Sequence, residues 1–134
     1  MYRSHHFVIQ ELVPPHVFAD RGNKAWELLD VKLLMTLDAL RKEFGPVVVN
    51  NWHLNGDRQW SGLRTEHSPV GSVYSQHRFG RAADCLFVHA DVGEVREYIL
   101  NNSNAFPFIN SVELGTSWLH FDVRNCDRVK TFNP

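Results

Sequence analysis

Between Asn23 and Phe44 the apolar side chains Trp26, Leu29, Leu33, Leu37, Leu40 and Phe44 recur at three- and four-residue steps, and Gly45-Pro46 ends the run. That spacing lines one face of a helix and leaves the other polar, so the segment must bury its stripe against a second layer. The next segment, PVVVNNW from Pro46 to Trp52, is a β-branched run that reads as a strand. A polar stretch rich in turn formers and aromatics, NGDRQWSGLRTEHSPVGS, follows it. A loop of that length inside a small domain is characteristically functional.

Further strands are expected in CLFV after Asp84, in Ser111–Leu114 and in Trp118–Val123. Asp91 with Glu94 three residues on forms a capping box for a second helix running to about Leu100. The order helix, strand, long loop, strand, helix, strand, strand predicts an α+β fold, with a small, mostly antiparallel sheet packed against helices. There is no internal repeat and no Pro/Gly-rich linker, so residues 1–134 read as one domain. With 43% hydrophobic residues it can build its own core.

Charge excludes one class of partner. Fourteen Lys and Arg against fifteen Asp and Glu give a net charge of −1, which leaves no basic field for nucleic acid. The opening MYRSHHFVIQELVPP has neither an apolar signal core nor a small-residue cleavage site, and no run reaches membrane-spanning length. The expectation is a chain made in the cytoplasm without a signal peptide and not inserted in a membrane. Two cysteines, Cys85 and Cys126, are too few for a disulfide framework and read as reduced thiols, Cys85 within an apolar run.

The segment SQHRFGRAAD, Ser75–Asp84, suits neither an ordinary strand nor an ordinary helix. His77 and Asp84 lie seven positions apart, and Gly80 and Ala82 between them are small enough to let the chain fold tightly. In WLHFDV, Trp118–Val123, alternation puts Trp118, His120 and Asp122 on one face and Leu119, Phe121 and Val123 on the other. Two histidines and a carboxylate are a ligand set for catalytic zinc, which keeps a further position for water. On spacing alone a hydrogen-bonded surface pair explains His77 and Asp84 as well.

The pattern Ser-x-His-x-x-Gly-x-Ala-x-Asp at Ser75, His77, Gly80, Ala82 and Asp84 resembles the zinc signature of the D-alanyl-D-alanine carboxypeptidases and the phage L-alanoyl-D-glutamate endopeptidases. SGLR, Ser61–Arg64, matches the Ser-Gly-x-Arg segment that precedes that signature. The whole order, ending in WLHFDVR, is similar to short phage-encoded members. The resemblance implies a hedgehog-type α+β fold and Zn²⁺ held by His77, Asp84 and His120, with Arg64 facing the substrate. It also implies hydrolysis of the peptide part of peptidoglycan, as carboxypeptidase or endopeptidase, in host lysis or wall penetration. A monomer is favoured. Zinc would activate water and polarise the scissile carbonyl, and Arg64 could steady an oxyanion or grip a substrate carboxylate. Otherwise Arg64 is a surface arginine pairing with Glu66 or Asp57.

The general base departs from the family pattern, which puts a carboxylate or histidine a few residues before the last ligand. Ser117, Trp118 and Gly115 occupy those positions here. Asp122, two residues past His120 on the same face, is the first candidate, as base or as a group orienting a ligand, and Glu113, reaching back across a turn at Gly115, is the second. A chain lacking its base would be an inactive zinc-binding module of a phage particle or a wall-recognition part. Ser75, Trp118 and His53 are candidates for lining the substrate cleft, whereas Trp52, Trp60 and Tyr74 read as core or rim packing. His5, His6, His16, His67 and His89 have no partner at ligand spacing.

Overall fold

The structure, a computed structural model, describes residues 1–127 and 129–134. Its helices are α1 (Pro15–Arg21), α2 (Val31–Phe44) and α3 (Val92–Asn101), and its strands are β1 (Val47–Val48), β2 (Ala82–Phe87), β3 (Ser111–Glu113), β4 (Leu119–Asp122) and β5 (Lys130–Phe132). They form one sheet in the order β1-β2-β4-β3-β5, antiparallel throughout except for β3 with β5. This is the small α+β architecture that the element order predicts. No helix among the described residues is long and apolar enough to cross a membrane.

Strand alternation sorts the sheet into two faces. Ala83, Cys85, Val112, Leu119 and Phe121 are fully buried on the face that joins the core, where they meet Leu33, Leu37 and Leu40 of α2 and Val95 and Ile99 of α3. Burial pushes the Cys85 thiol far above its ordinary pKa, so it packs as a small hydrophobe. The intervening residues Asp84, His120 and Asp122 stand on the opposite face, with Asp84 paired to His120 and Ala82 to Asp122 across β2 and β4. One further step of the β3–β4 register brings Glu113 opposite His120.

Two expected elements are shorter in the structure. The helix expected from Asn23 breaks in two: Gly22–Leu28 is a 3₁₀ turn, Leu29 is extended, and Asp30 caps α2 by accepting from the Lys32 amide. The break has a local cause, because the Asp30 amide donates to the Gly80 carbonyl and is thereby drawn out of any continuous helix. Trp26 and Leu29 remain buried, so the stripe survives the break. The strand expected over Pro46–Trp52 pairs only at Val47 and Val48. Beyond them the Asn50 amide turns to the Glu11 carbonyl, and the Asn50 side chain donates to Val13 O and accepts from the Ser61 amide. Neither α1 nor β5 was expected.

Candidate metal centre

SGLR and the segment from His77 to Asp84 form one cradle. His77 lies on a 3₁₀ turn, Gln76–Phe79, that Gly80 ends at φ +67°. A Cβ on Gly80 would sit 2.1 Å from the Leu28 carbonyl oxygen, and one on Gly62 would sit 2.3 Å from that of Leu12. Both positions therefore require glycine for close backbone approach. The Gly62 carbonyl accepts from His77 Nδ1 at 2.8 Å, the Ser61 carbonyl from the Asp84 amide at 2.8 Å, and the His77 carbonyl from the Arg64 amide at 3.0 Å. Ala82 is fully buried opposite Asp122 on β4.

His77 Nε2, His120 Nδ1 and Asp84 Oδ1 converge from these two supports. The separations are 3.2 Å between the histidine nitrogens, 3.2 Å from His77 to Asp84 and 2.8 Å from His120 to Asp84. All three residues are buried. Two ligands about 2.0 Å from one tetrahedral zinc lie roughly 3.3 Å apart, so this spacing fits an ion at the centre.

The hydrogen-bond partners behind the ligands fix what the cluster presents. Because the Gly62 carbonyl can only accept, His77 carries its proton on Nδ1 and aims the Nε2 lone pair inward. His120 Nε2 lies 3.2 Å from Asp122 Oδ2, whose two oxygens also accept from Arg124 Nε and Nη2 at 2.7 Å. His120 donates there and turns Nδ1 inward. A carboxylate oxygen and two imidazole nitrogens thus face one another around a point where a cation could sit. A second proton on His120 Nδ1 can stand in for that cation: burial opposes the charge, yet the hydrogen bonds to Asp122 and Asp84 prevail and push the His120 pKa up to about 9. Burial likewise opposes charge on Asp84, but the two imidazoles against it, His120 ahead of His77, hold it well below the usual carboxylate range. Among the described residues, His77, Asp84 and His120 are the group that could hold a metal ion.

The cluster floors a cleft of about 450 Å³ whose lining includes Arg64, Ser75, Gln76, Glu113, Trp118 and Phe132. Arg64 pairs with Asp84 at 3.1 Å rather than with Glu66 or Asp57, and its Nε donates to the Trp60 carbonyl. Burial lowers its pKa against the opposing pull of Asp84 and Glu113. Trp118 is placed through Arg96 of α3, whose Nη2 donates to the carbonyls of Thr116 and Trp118 at 2.9 Å. Phe132 of β5 meets the His120 ring edge to face at 5.5 Å.

The two carboxylates considered as base are separated by the structure. Asp122 is wholly buried beside His120, spent on Arg124, and lies outside the cleft lining. The expectation that ranked it first as base is corrected on this ground, since a group without access to the cleft cannot reach an attacking water. Burial works to raise the Asp122 pKa, and the hydrogen bonds from Arg124 and His120 prevail and lower it. Glu113 lines the cleft with Oε2 4.0 Å from His120 Nδ1. His53 sits on the 3₁₀ turn Trp52–Leu54 and is absent from the cleft lining, so its assignment there is also corrected. Of the aromatics read as core or rim packing, Tyr74 stands 81% exposed on the cleft rim and Trp52 is anchored by its indole to the Val13 carbonyl.

Sequence reasoning passed over Gln76, Arg124 and Phe132. Arg124 was within reach, since alternation beyond Asp122 aims it at that face, whereas Phe132 depends on the unforeseen β5. Compared with models of known families, with curated proteins and with solved structures, the chain shows no match.

Proposed function

We propose that this chain is a zinc-dependent peptidase that hydrolyses the peptide part of bacterial peptidoglycan. The observation that carries the reading is the convergence of His77 Nε2, His120 Nδ1 and Asp84 Oδ1 within 3.2 Å of one another at the floor of an open cleft, with Glu113 and Arg64 alongside. The donor set, two imidazoles and one carboxylate, is that of a catalytic rather than a closed structural zinc site. The signature at Ser75–Asp84 and its resemblance to the D-alanyl-D-alanine carboxypeptidases and L-alanoyl-D-glutamate endopeptidases supply the substrate class. The likeness to short phage-encoded members supports a part in host lysis or wall penetration.

Zinc bound by these residues would supply Lewis acidity to the scissile carbonyl and lower the pKa of the attacking water. Glu113 takes the proton of that water on a carboxylate oxygen and passes it to the departing amine nitrogen. Arg64, fixed through Asp84 and the Trp60 carbonyl, offers its remaining N–H groups to the oxygen on which negative charge develops or to a substrate carboxylate. Trp118 and Phe132 wall the cleft beside the reacting bond. Asp122 moves no proton and holds His120 in its donating tautomer.

The test is digestion of purified peptidoglycan with zinc and with chelator, products being identified by mass spectrometry. New peptide termini that vanish with chelator are expected, and they identify the bond. Intact walls of several chemotypes after treatment with folded, zinc-loaded protein would overturn the reading in favour of a binding module.

A further inference from the structure

Beside the cleft lies a second groove of about 510 Å³ that shares Arg64 with it. Its floor is apolar, made by the buried Val17 and Leu63 together with Leu28, and Phe79 forms a 49% exposed side wall. The 3₁₀ turn Gln76–Phe79 separates the two spaces. With three residues per turn its successive side chains point three ways: Gln76 lines the cleft, His77 enters the metal cluster and Arg78 lines the groove.

Two of these side chains carry unmet hydrogen-bonding capacity. Gln76 Oε1 and Arg78 Nε are both shut off from solvent, and neither has a hydrogen-bond partner among the described residues. A buried acceptor or donor left without a partner costs on the order of 1–3 kcal/mol, so such a pair is a place where a ligand is accommodated cheaply. The other charges at the groove are committed or solvated. Arg21 pairs with Glu27 at 3.3 Å, Arg64 with Asp84, and Asp20 and Glu66 stand exposed at the rim. Among the described residues Arg78 is thus the arginine of the groove without a carboxylate partner, set over an apolar floor.

We propose that this groove is a second binding site, which takes a carboxylate-bearing continuation of the peptide whose scissile bond lies at the metal centre; the inference rests on the peptidase reading. The chain crosses the Arg64 ridge, gives a backbone N–H to Gln76 Oε1 on the cleft side and places a carboxylate on the Arg78 guanidinium on the groove side. A planar guanidinium with free N–H groups suits a carboxylate in two-point contact. The site therefore favours acidic wall peptides over their amidated forms.

The test is titration of the full chain, in chelator so that nothing is cleaved, with a synthetic stem pentapeptide in its free-acid form and in a form amidated at its internal carboxylates, the C-terminal carboxylate being left free in both. Binding is read by amide chemical-shift changes and by calorimetry. The free acid is expected to shift the amides of Val17, Arg78 and Phe79 as well as those of the cleft. Arg78→Gln is expected to weaken it about tenfold with zinc content unchanged, and amidation should weaken wild-type binding by a similar factor while adding nothing to the loss in Arg78→Gln. Independent, additive losses, or shifts confined to the cleft, would overturn the groove assignment while leaving the peptidase reading intact. A protein that neither binds this peptide nor cleaves walls would overturn both.

Discussion

His77 and His120 meet at one point but are held by different means. On the loop side, His77 is fixed by backbone: the Gly62 carbonyl accepts from its Nδ1, and the turns around it approach so closely that neither Gly62 nor Gly80 has room for a Cβ. On the sheet side, His120 is fixed by register and charge: β4 pairs it with Asp84, and Asp122, itself gripped by Arg124, accepts from its Nε2–H. The loop side has steric rigidity with no charge behind the ligand, whereas the sheet side has a carboxylate that makes the imidazole a stronger electron donor. One centre thus has one ligand whose position is protected and another whose affinity is tuned.

The bluntest way to break this comparison is to remove either ligand. His77→Ala and His120→Ala are each expected to abolish zinc binding, measured by atomic absorption after dialysis, and to bring wall hydrolysis down to that of a protein-free blank. If one variant kept full zinc occupancy, the two sides would not serve one ion. Glu113→Gln separates chemistry from ligation. It removes the proton acceptor at constant shape, so kcat should fall by about 10²–10⁴ while zinc content stays at the wild-type level. Unchanged turnover would remove Glu113 from the proton path.

The loop side is tested at Gly62. A methyl there would lie 2.3 Å from the Leu12 carbonyl oxygen, a backbone atom that cannot swing away. Gly62→Ala should therefore cost about 2–3 kcal/mol, the scale of overpacking a rigid site. In a chain of this size that lowers Tm by roughly 5–15 °C. Zinc should be held more weakly as well, since the same residue's carbonyl orients His77. A Tm within about a degree of wild type would mean that the loop side is pliable.

The sheet side was the more legible in sequence. Period-two alternation in WLHFDV separates the core-facing Leu119 and Phe121 from the site-facing His120 and Asp122, and the same rule applied to Ser111–Leu114 would have put Glu113 on the face of His120. It could not rank Asp122 against Glu113, because access is set by Arg124 and by the neighbouring strands rather than by the strand's own pattern. The loop side showed its small residues but not their reason. Gly62 and Gly80 are opposed by Leu12 and Leu28, each about 50 positions away in the chain, and such contacts leave no periodic trace. The same limit hid the break before Asp30, whose amide answers to Gly80, and β5, a three-residue edge strand without alternation to mark it.

Asp122→Asn is the smallest of these perturbations and the one that weighs the two supports against each other. The carboxamide oxygen can still accept from His120 Nε2, so the ring keeps its place, but the negative charge behind it is gone and one amide N–H now faces the Arg124 donors. Zinc affinity should fall by about 10–100-fold in a competition with a chromophoric chelator. At saturating zinc, kcat should stay close to wild type, the reverse of the Glu113→Gln pattern. His77 gains nothing from a carboxylate, so no equivalent loss is available on the loop side, and the size of the fall measures what charge adds to a ligand that geometry alone has already positioned. If kcat instead collapsed with zinc affinity intact, Asp122 would be the proton acceptor, and the sheet face around Arg124 would have to open during turnover to let water reach it.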